Sequence, residues 1–258
     1  MPPAATQQPR REAVRWRSKY RRAKIVKMPV ESSLALAASL FADSARAMML
    51  DALLDGRALP AGELARRAGV SPQTGSSHLR KLLDAGMLAV AAQGRHRYYV
   101  LANADVAHAI EALSGLAPRP AVRALSQSLL AQRLAAARTC YNHLGGALAV
   151  NIADALVESG RCERFEAGFS VTAAGRDFFG GLGIDAVRVC GGDPAFTKTC
   201  IDWTQRHQHV SWPLGTSLLH ALLDRSFIAR GAENRAVRVT ERGRLALAEL
   251  FLRDVAGG

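Results

Sequence analysis

Apolar residues recur at helical spacing over 33–41, where Leu34, Leu36, Ala37, Leu40 and Phe41 share one side of a predicted helix. Asp43 or Ser44 offers an N-cap for a second helix, Ala45 to Leu54, which Gly56 stops. Pro60 opens a short helix over 61–68, and Gly69 ends it. Ser71 followed by Pro72 is a strong start signal. The serine hydroxyl can accept from a free backbone N–H, and the proline ring loses nothing at the first helical position. The helix so begun runs over 72–85 with Leu79, Leu82 and Leu83 on one side, and Gly86 stops it. The period then shortens to two. Met87-Leu88-Ala89-Val90 reads as a strand, Gln93-Gly94-Arg95 as a turn, and Arg97-Tyr98-Tyr99-Val100-Leu101 as the returning strand. Asn103 caps a last helix through about Leu116.

A helix, a three-residue turn (Gly69, Val70, Ser71) and a second helix make a helix-turn-helix, and the hairpin after it makes a wing. The helix over 72–85 begins with short polar side chains, which suits a helix end entering a major groove. Gln73 can pair with adenine, and Thr74 and Ser76 can reach bases or phosphates. Ser77 and His78 continue the polar face, and Arg80 and Lys81 fall one turn on, where a phosphate would pass. Arg95, His96 and Arg97 are three donors at the wing tip, suited to phosphates beside a minor groove. The expected partner is double-stranded DNA.

Residues 33–116 resemble the winged helix-turn-helix of the ArsR/SmtB (arsenic-repressor) family of bacterial transcription regulators. The carrying residues are L-F-A-D-S-A-R-A-M-M-L-D-A-L-L (40–54), G-E-L-A-R-R-A-G-V-S-P-Q-T-G-S-S-H-L-R-K-L-L-D-A-G-M-L (62–88) and G-R-H-R-Y-Y-V-L (94–101). The resemblance covers about a third of the chain. It implies a recognition helix at 72–85, a wing, and a homodimer interface made by the helices 33–41 and 103–116. It also marks departures. The Cys-x-Cys metal motif that many members carry before the turn is replaced by G-E-L-A-R-R. On the last helix Asp105, His108 and Glu111 lack the second histidine of a zinc set, and they are expected to form a solvated face.

Pro118-Arg119-Pro120 marks a joint, and 121–137 reads as a helical linker with Leu125, Leu129 and Leu134 apolar. Beyond it the chain looks duplicated. One copy runs T-C-Y-N-H-L-G-G (139–146), A-L-V-E-S-G (155–160), R-F-E-A-G-F-S-V (164–171) and T-A-A-G-R-D-F-F (172–179). The other runs T-C-I-D-W-T (199–204), L-G-T-S-L-L (214–219), A-L-L-D-R-S-F-I (221–228), a hairpin over 229–239 and T-E-R-G-R-L-A-L (240–247). Thr172 and Thr240 are the caps of matching helices. Two degenerate winged-helix-like units in one effector domain are expected. The candidate site lies where the copies match. Cys140 and His143, read as i and i+3 on a helix, share a face, and Cys200 has His207 and His209 downstream. Tyr141, Trp203 and Trp212 are close in sequence. Three readings stand. The thiols are small core residues; or they line an organic-ligand pocket with the aromatics; or Cys140, His143 and Cys200 form a metal or redox sensor, the ion being a soft or borderline one such as zinc, copper(I) or arsenite. Cys162 and Cys190 show no partner pattern.

Charge changes the picture less than it first suggests. The 258 residues carry a formal net charge of +12, but residues 1–30 hold nine basic side chains against one acidic, while 31–118 hold eight of each sign. The excess describes a tail expected to be disordered, or sequence upstream of a later start at Met28. With 49% hydrophobic residues the chain can bury a core. No apolar run approaches the roughly 18 residues of a membrane span, and four cysteines without a C-x-x-C pair make no disulfide framework. A reduced, cytoplasmic protein is expected. No dinucleotide, phosphate-loop or zinc-protease motif points to an enzyme. The expectation is therefore mainly α with small β-hairpins (α+β), divided as tail 1–30, winged helix-turn-helix 31–117, helical linker 118–137 and effector domain 138–254. Its function is expected to be that of a homodimeric repressor on a pseudo-palindromic operator, governed by a metal or small-molecule effector. The alternative is a ligand- or metal-binding protein that uses its winged helix for assembly.

Overall fold

The computed structural model describes residues 33–93, 96–116, 125–231, 234–251 and 255. The basic segment 1–30, the joint at 118–120, Arg95 and the His96 side chain lie outside the described residues.

Helices α1 (Ser33–Phe41) and α2 (Ser44–Ala52) meet at Asp43, whose carboxylate accepts from the Arg46 N–H at 2.9 Å. A short strand β1 (Leu59–Pro60) leads into α3 (Ala61–Arg67), and α4 (Pro72–Asp84) follows the turn. Ser71 caps α4 by accepting from the Thr74 N–H, with Pro72 at the first position. Strands β2 (Leu88–Gln93) and β3 (His96–Leu101) form the wing, and β1 adds to β3 in a three-stranded antiparallel sheet. Helix α5 (Ala104–Leu116) closes the unit. Its core is built from Met49, Leu50, Leu54, Leu64, Leu79, Leu82, Tyr99 and Ile110. One backbone position sets the helix-turn-helix crossing. A Cβ at Gly75 would lie 2.6 Å from the Ala65 Cβ, so α3 and α4 touch where α4 has no side chain.

Helix α6 (Leu125–Ala136) runs to a second set of elements, in which one succession occurs twice. First come β4 (Arg138–Cys140), β5 (His143–Gly145), α7 (Ala147–Glu158), β6 (Cys162–Phe165), β7 (Gly168–Val171) and α8 (Ala173–Gly181). After a short α9 (Ala186–Cys190) come β8 (Phe196–Ile201), β9 (Gln208–Val210), α10 (Leu214–Asp224), β10 (Ile228–Arg230), β11 (Val237–Val239) and α11 (Glu241–Phe251). Each copy is hairpin, helix, hairpin, helix. Details repeat too. Thr172 accepts from the Gly175 N–H at 3.1 Å and Thr240 from the Gly243 N–H at 2.9 Å. Each threonine hydroxyl donates back to a carbonyl, Gly160 at 2.7 Å and Ser226 at 2.8 Å. Strands β6-β7-β8-β9 join the copies in one antiparallel sheet. A second core around Ile152, Leu156, Phe169, Phe179, Leu219, Leu222 and Phe251 lies between them.

The structure corrects the sequence reading of 139–146. Cys140 and His143 do not lie on a helix. They are cross-strand partners in the β4–β5 hairpin, joined by Tyr141 and Asn142, with Tyr141 at φ 59°. Strands of three residues are too short for a period of two to be told from a helical one.

A layer of buried charge separates the two cores. Arg138, fully buried, donates to Asp202 at 2.8 Å and to the Leu134 carbonyl at 3.1 Å, and its guanidinium lies 4.8 Å from the Trp203 ring centre. It also faces Glu111 of α5 at 3.7 Å. Glu111 accepts from Arg235 at 2.5 Å, and Arg235 reaches Asp51 of α2 at 3.1 Å. Glu111 is therefore buried, with 4% of its surface exposed, and not on a solvated face as expected. The helical period that points Asp105 outward also carries position 111 onto the second set of elements.

Two stability predictions follow from these contacts. Gly75→Val should cost about 1–3 kcal/mol through overpacking at Ala65. Gly62→Ala, which meets open space in α3, should be neutral or stabilising by up to about 1 kcal/mol. Asp202→Asn leaves Arg138 buried beside a neutral amide and should cost about 3–5 kcal/mol. Breaking the exposed Arg244–Glu241 pair by Arg244→Ala should change stability by under about 1 kcal/mol. Denaturant unfolding of the four variants checks both contrasts.

Candidate nucleic-acid interface and thiol-imidazole cluster

The α4 N-terminus presents a polar surface because its apolar residues, Leu79 and Leu82, are drawn into the core with Gly75. Gln73, Thr74, Ser76, Ser77, Arg80 and Lys81 are all exposed. Two of them are partly engaged at home: Thr74 Oγ1 shares a hydrogen bond with the Ser71 hydroxyl at 2.9 Å, and Ser76 donates to the Pro72 carbonyl at 2.9 Å. His78 is turned away from this surface. Its Nδ1 lies 3.4 Å from the Arg46 guanidinium and 3.7 Å from the Asp43 carboxylate, against the α1–α2 corner. In the wing, Arg97 is exposed and pairs across the hairpin with Ala92.

The second candidate site takes shape where the two copies meet. In each first hairpin a cysteine stands directly across from a histidine, Cys140 from His143 and Cys200 from His209. The two hairpins bring these pairs together. The Cys140 and Cys200 sulfurs are 3.9 Å apart, and the two imidazole ring centres are 5.2 Å apart. One donor atom from each of the four residues lies within 4.8 Å of every other. Glycines permit the approach. A Cβ at Gly145 would be 3.2 Å from the Cys140 Cβ, and one at Gly215 would be 3.2 Å from the His143 Cβ and 2.4 Å from the Val210 carbonyl. Cys140, His143 and His209 are buried, and Cys200 is partly so. None of the four imidazole nitrogens has a hydrogen-bond partner among the described residues. The neighbouring Cys200 thiol, and then burial, push the Cys140 thiol up to about 12.

Asp202 anchors the cluster from behind. One oxygen accepts from Arg138 and from the Gly146 N–H at 2.6 Å, and the other from the Thr204 and Gln205 N–H groups at 2.9 and 3.0 Å. Burial raises its pKa, but Arg138 and these donors outweigh that and hold it at about 2. Of the other residues expected at this site, Trp203 stacks on Arg138. Tyr141 packs against the winged-helix core. His207 and Trp212 are exposed. The aromatics thus do not converge with the thiols on one volume; the four donor atoms are close enough that they could hold a metal ion. Burial drives His108 of α5 below its ordinary pKa, and the nearby His143 adds to the effect. Sequence reasoning missed Arg138, Glu111 and Arg235 as the link to α5 and α2. The only available signal was that Arg138 precedes Cys140 by two residues and Asp202 follows Cys200 by two.

A family description, helix-turn-helix domain, matches residues 41–91. The HTH-type transcriptional regulator YdfF of Bacillus subtilis is 42% identical over 214 residues, which is 83% of this chain and 95% of that protein. The HTH-type transcriptional regulator CmtR of Mycobacterium tuberculosis is 38% identical over 80 residues, 31% of this chain and 67% of that protein. Among solved structures, HlyU of Vibrio cholerae has 29% identity and a TM-score of 0.31, covering 34% of this chain and 97% of that one. With a relative of this identity spanning nearly its whole length, and a helix-turn-helix match lying on α2 to β2, the chain belongs to the ArsR/SmtB family of winged helix-turn-helix transcriptional regulators.

Proposed function

We propose that this regulator is a homodimeric repressor that reads a pseudo-palindromic operator, with 31–117 as the DNA-binding part, 118–137 as the link and 138–254 as the part that senses an effector. The observation that carries the reading is the exposed start of α4. Six polar or basic side chains face solvent there, over a helix N-terminus already capped by Ser71. Gln73, Thr74, Ser76 and Ser77 read base edges, while Arg80, Lys81 and the wing's Arg97 hold phosphates. The basic segment 1–30 adds non-specific attraction.

Two copies are supported by unpaired apolar surface on the two helices that the family resemblance assigns to dimerisation. Leu34 of α1 is 79% exposed and Leu116 of α5 is 83% exposed. Leucines so placed on a lone chain favour a partner surface. Two-fold symmetry then sets two α4 helices one helical turn of DNA apart.

Binding to a duplex from the regulator's own promoter, followed by fluorescence anisotropy over a salt series, tests the reading. Gln73→Ala should weaken operator binding by about 1–3 kcal/mol and spare random DNA. Arg97→Ala should weaken both alike and lower the salt slope by about one. Affinity for neither duplex would leave the winged helix to protein assembly. Leu116→Glu should yield monomers by sedimentation and lose the operator. A Leu116→Glu dimer of full affinity would move the interface elsewhere.

A further inference from the structure

Among the described residues, the four-residue cluster between the two repeated hairpins has no counterpart in the helix-turn-helix. We propose that Cys140, His143, Cys200 and His209 form a closed, tetrahedral Cys2His2 site for a zinc-class divalent cation.

The geometry argues for an ion of that kind. Two thiolates each about 2.3 Å from a zinc, at the tetrahedral angle, lie roughly 3.8 Å apart. The two sulfurs stand 3.9 Å apart. Two sulfur and two nitrogen donors in this arrangement select zinc or its heavier congener cadmium over the hard cations, which take oxygen ligands. Four protein ligands leave no open position, which is the pattern of a structural or regulatory site.

The polar atoms give a second, independent argument. His143 and His209 are 1% and 0% exposed, and their four ring nitrogens lack hydrogen-bond partners among the described residues. Burying two imidazoles in that condition is unfavourable, because each ring nitrogen has given up its water without gaining a partner. A cation satisfies one nitrogen of each ring directly. Charge also balances. Binding releases one proton from each thiol to solvent, and two thiolates cancel the two charges of the ion. The resulting site is neutral, as a buried position demands. The neighbouring charges are already matched, Arg138 with Asp202 and Arg235 with Glu111.

The site also has a route to the DNA-binding half, a consequence that rests on the regulator reading above. The turn between Cys140 and His143 carries Tyr141, which packs on the winged-helix core. The Tyr141 carbonyl lies so near Gly56 that a Cβ there would stand 2.9 Å from it. The strand that bears Cys140 begins at Arg138, which faces Glu111 on α5. Clamping the two hairpins therefore fixes a turn and an ion pair that both touch the winged helix.

The test uses the reduced full-length protein. Zinc titrated against a chromophoric chelator should bind at one ion per chain. Cobalt(II) should give the intense visible bands of a tetrahedral ion and a thiolate-to-metal charge-transfer band. Cys200→Ser and His209→Ala should each weaken zinc binding by at least 100-fold, whereas Cys162→Ser should bind as the parent does. If His209→Ala fails to fold, Cys200→Ser at the partly exposed ligand keeps the test. No stoichiometric zinc, an octahedral cobalt spectrum, or full affinity in Cys200→Ser would overturn the site. So would a Cys140–Cys200 disulfide that forms in air while the reduced chain ignores zinc. Operator affinity is then measured with and without zinc. A change of fivefold or more supports the coupling. Zinc binding with unchanged operator affinity leaves the site standing and overturns the coupling. Zinc binding in a protein without any DNA affinity would refute the regulator reading alone.

Discussion

A buried arginine dictates much of this architecture. Arg138 has no exposed surface, and a guanidinium taken out of water is unfavourable by several kcal/mol unless its donors are met. The Asp202 carboxylate and the Trp203 face, both from the β8–β9 loop, and the Leu134 carbonyl of α6 surround it. Because Asp202 also accepts from the backbone of Gly146, Thr204 and Gln205, satisfying one charge fixes the β8–β9 loop against the β4–β5 hairpin. Apolar packing tolerates small slides between elements, whereas a charge with directed hydrogen bonds does not. The two cysteines of the cluster lie two residues from this pair, Cys140 after Arg138 and Cys200 before Asp202, so the same constraint helps to bring their strands together.

Duplication explains why four donors exist at all. A single hairpin with a cysteine across from a histidine offers two ligands, too few for a closed site. Two such hairpins, brought face to face by the continuous sheet of β6 to β9 and by the approach of α10 at Gly215, supply the set. The two copies are not equal. Two residues separate Cys140 from His143, but a longer excursion carrying Asp202 and Trp203 separates Cys200 from His209. The first hairpin supplies its pair and a tip directed at the winged helix. The second supplies its pair and the anchor for Arg138.

The winged helix was legible because its signals are local. Ser71 with Pro72, the stops at Gly56, Gly69 and Gly86, and the leucine spacing in α4 each act within one turn of chain, and the helix bounds followed to within one or two residues. The duplicated half was legible only in outline. Its repeated T-x-x-G caps are local, and both were found. The β4–β5 hairpin reads as helical in sequence because three-residue strands carry no usable period. The surroundings of His78 and Glu111 are illegible in sequence for another reason. They are made by residues distant in sequence, Asp43 with Arg46 for the first and Arg235 for the second. A polar side chain on a helix looks solvated until the partner that covers it is known. Sequence shows His209 as a histidine downstream of Cys200, and only the strand register makes it the equivalent of His143.

The ladder from the cluster to α2 is not equally strong along its length, and that inequality says where it yields. Arg138–Asp202 and Arg235–Glu111 are buried on both sides, so separating either pair strands a charge in low dielectric. Arg235–Asp51 differs: the Asp51 side chain is 58% exposed. Water can replace the arginine there at a cost of about 1 kcal/mol or less. Of these pairs, Arg235–Asp51 is therefore the one that solvent replaces most readily, at α2. That helix packs against α4 through the Met49 side chain, which lies 3.6 Å from where a Gly75 Cβ would stand. A ligand shifts an equilibrium only as far as its affinity differs between the two states. For the coupling proposed above, the Asp51–Arg235 pair is the rung of this ladder that can open without leaving a buried charge unpaired.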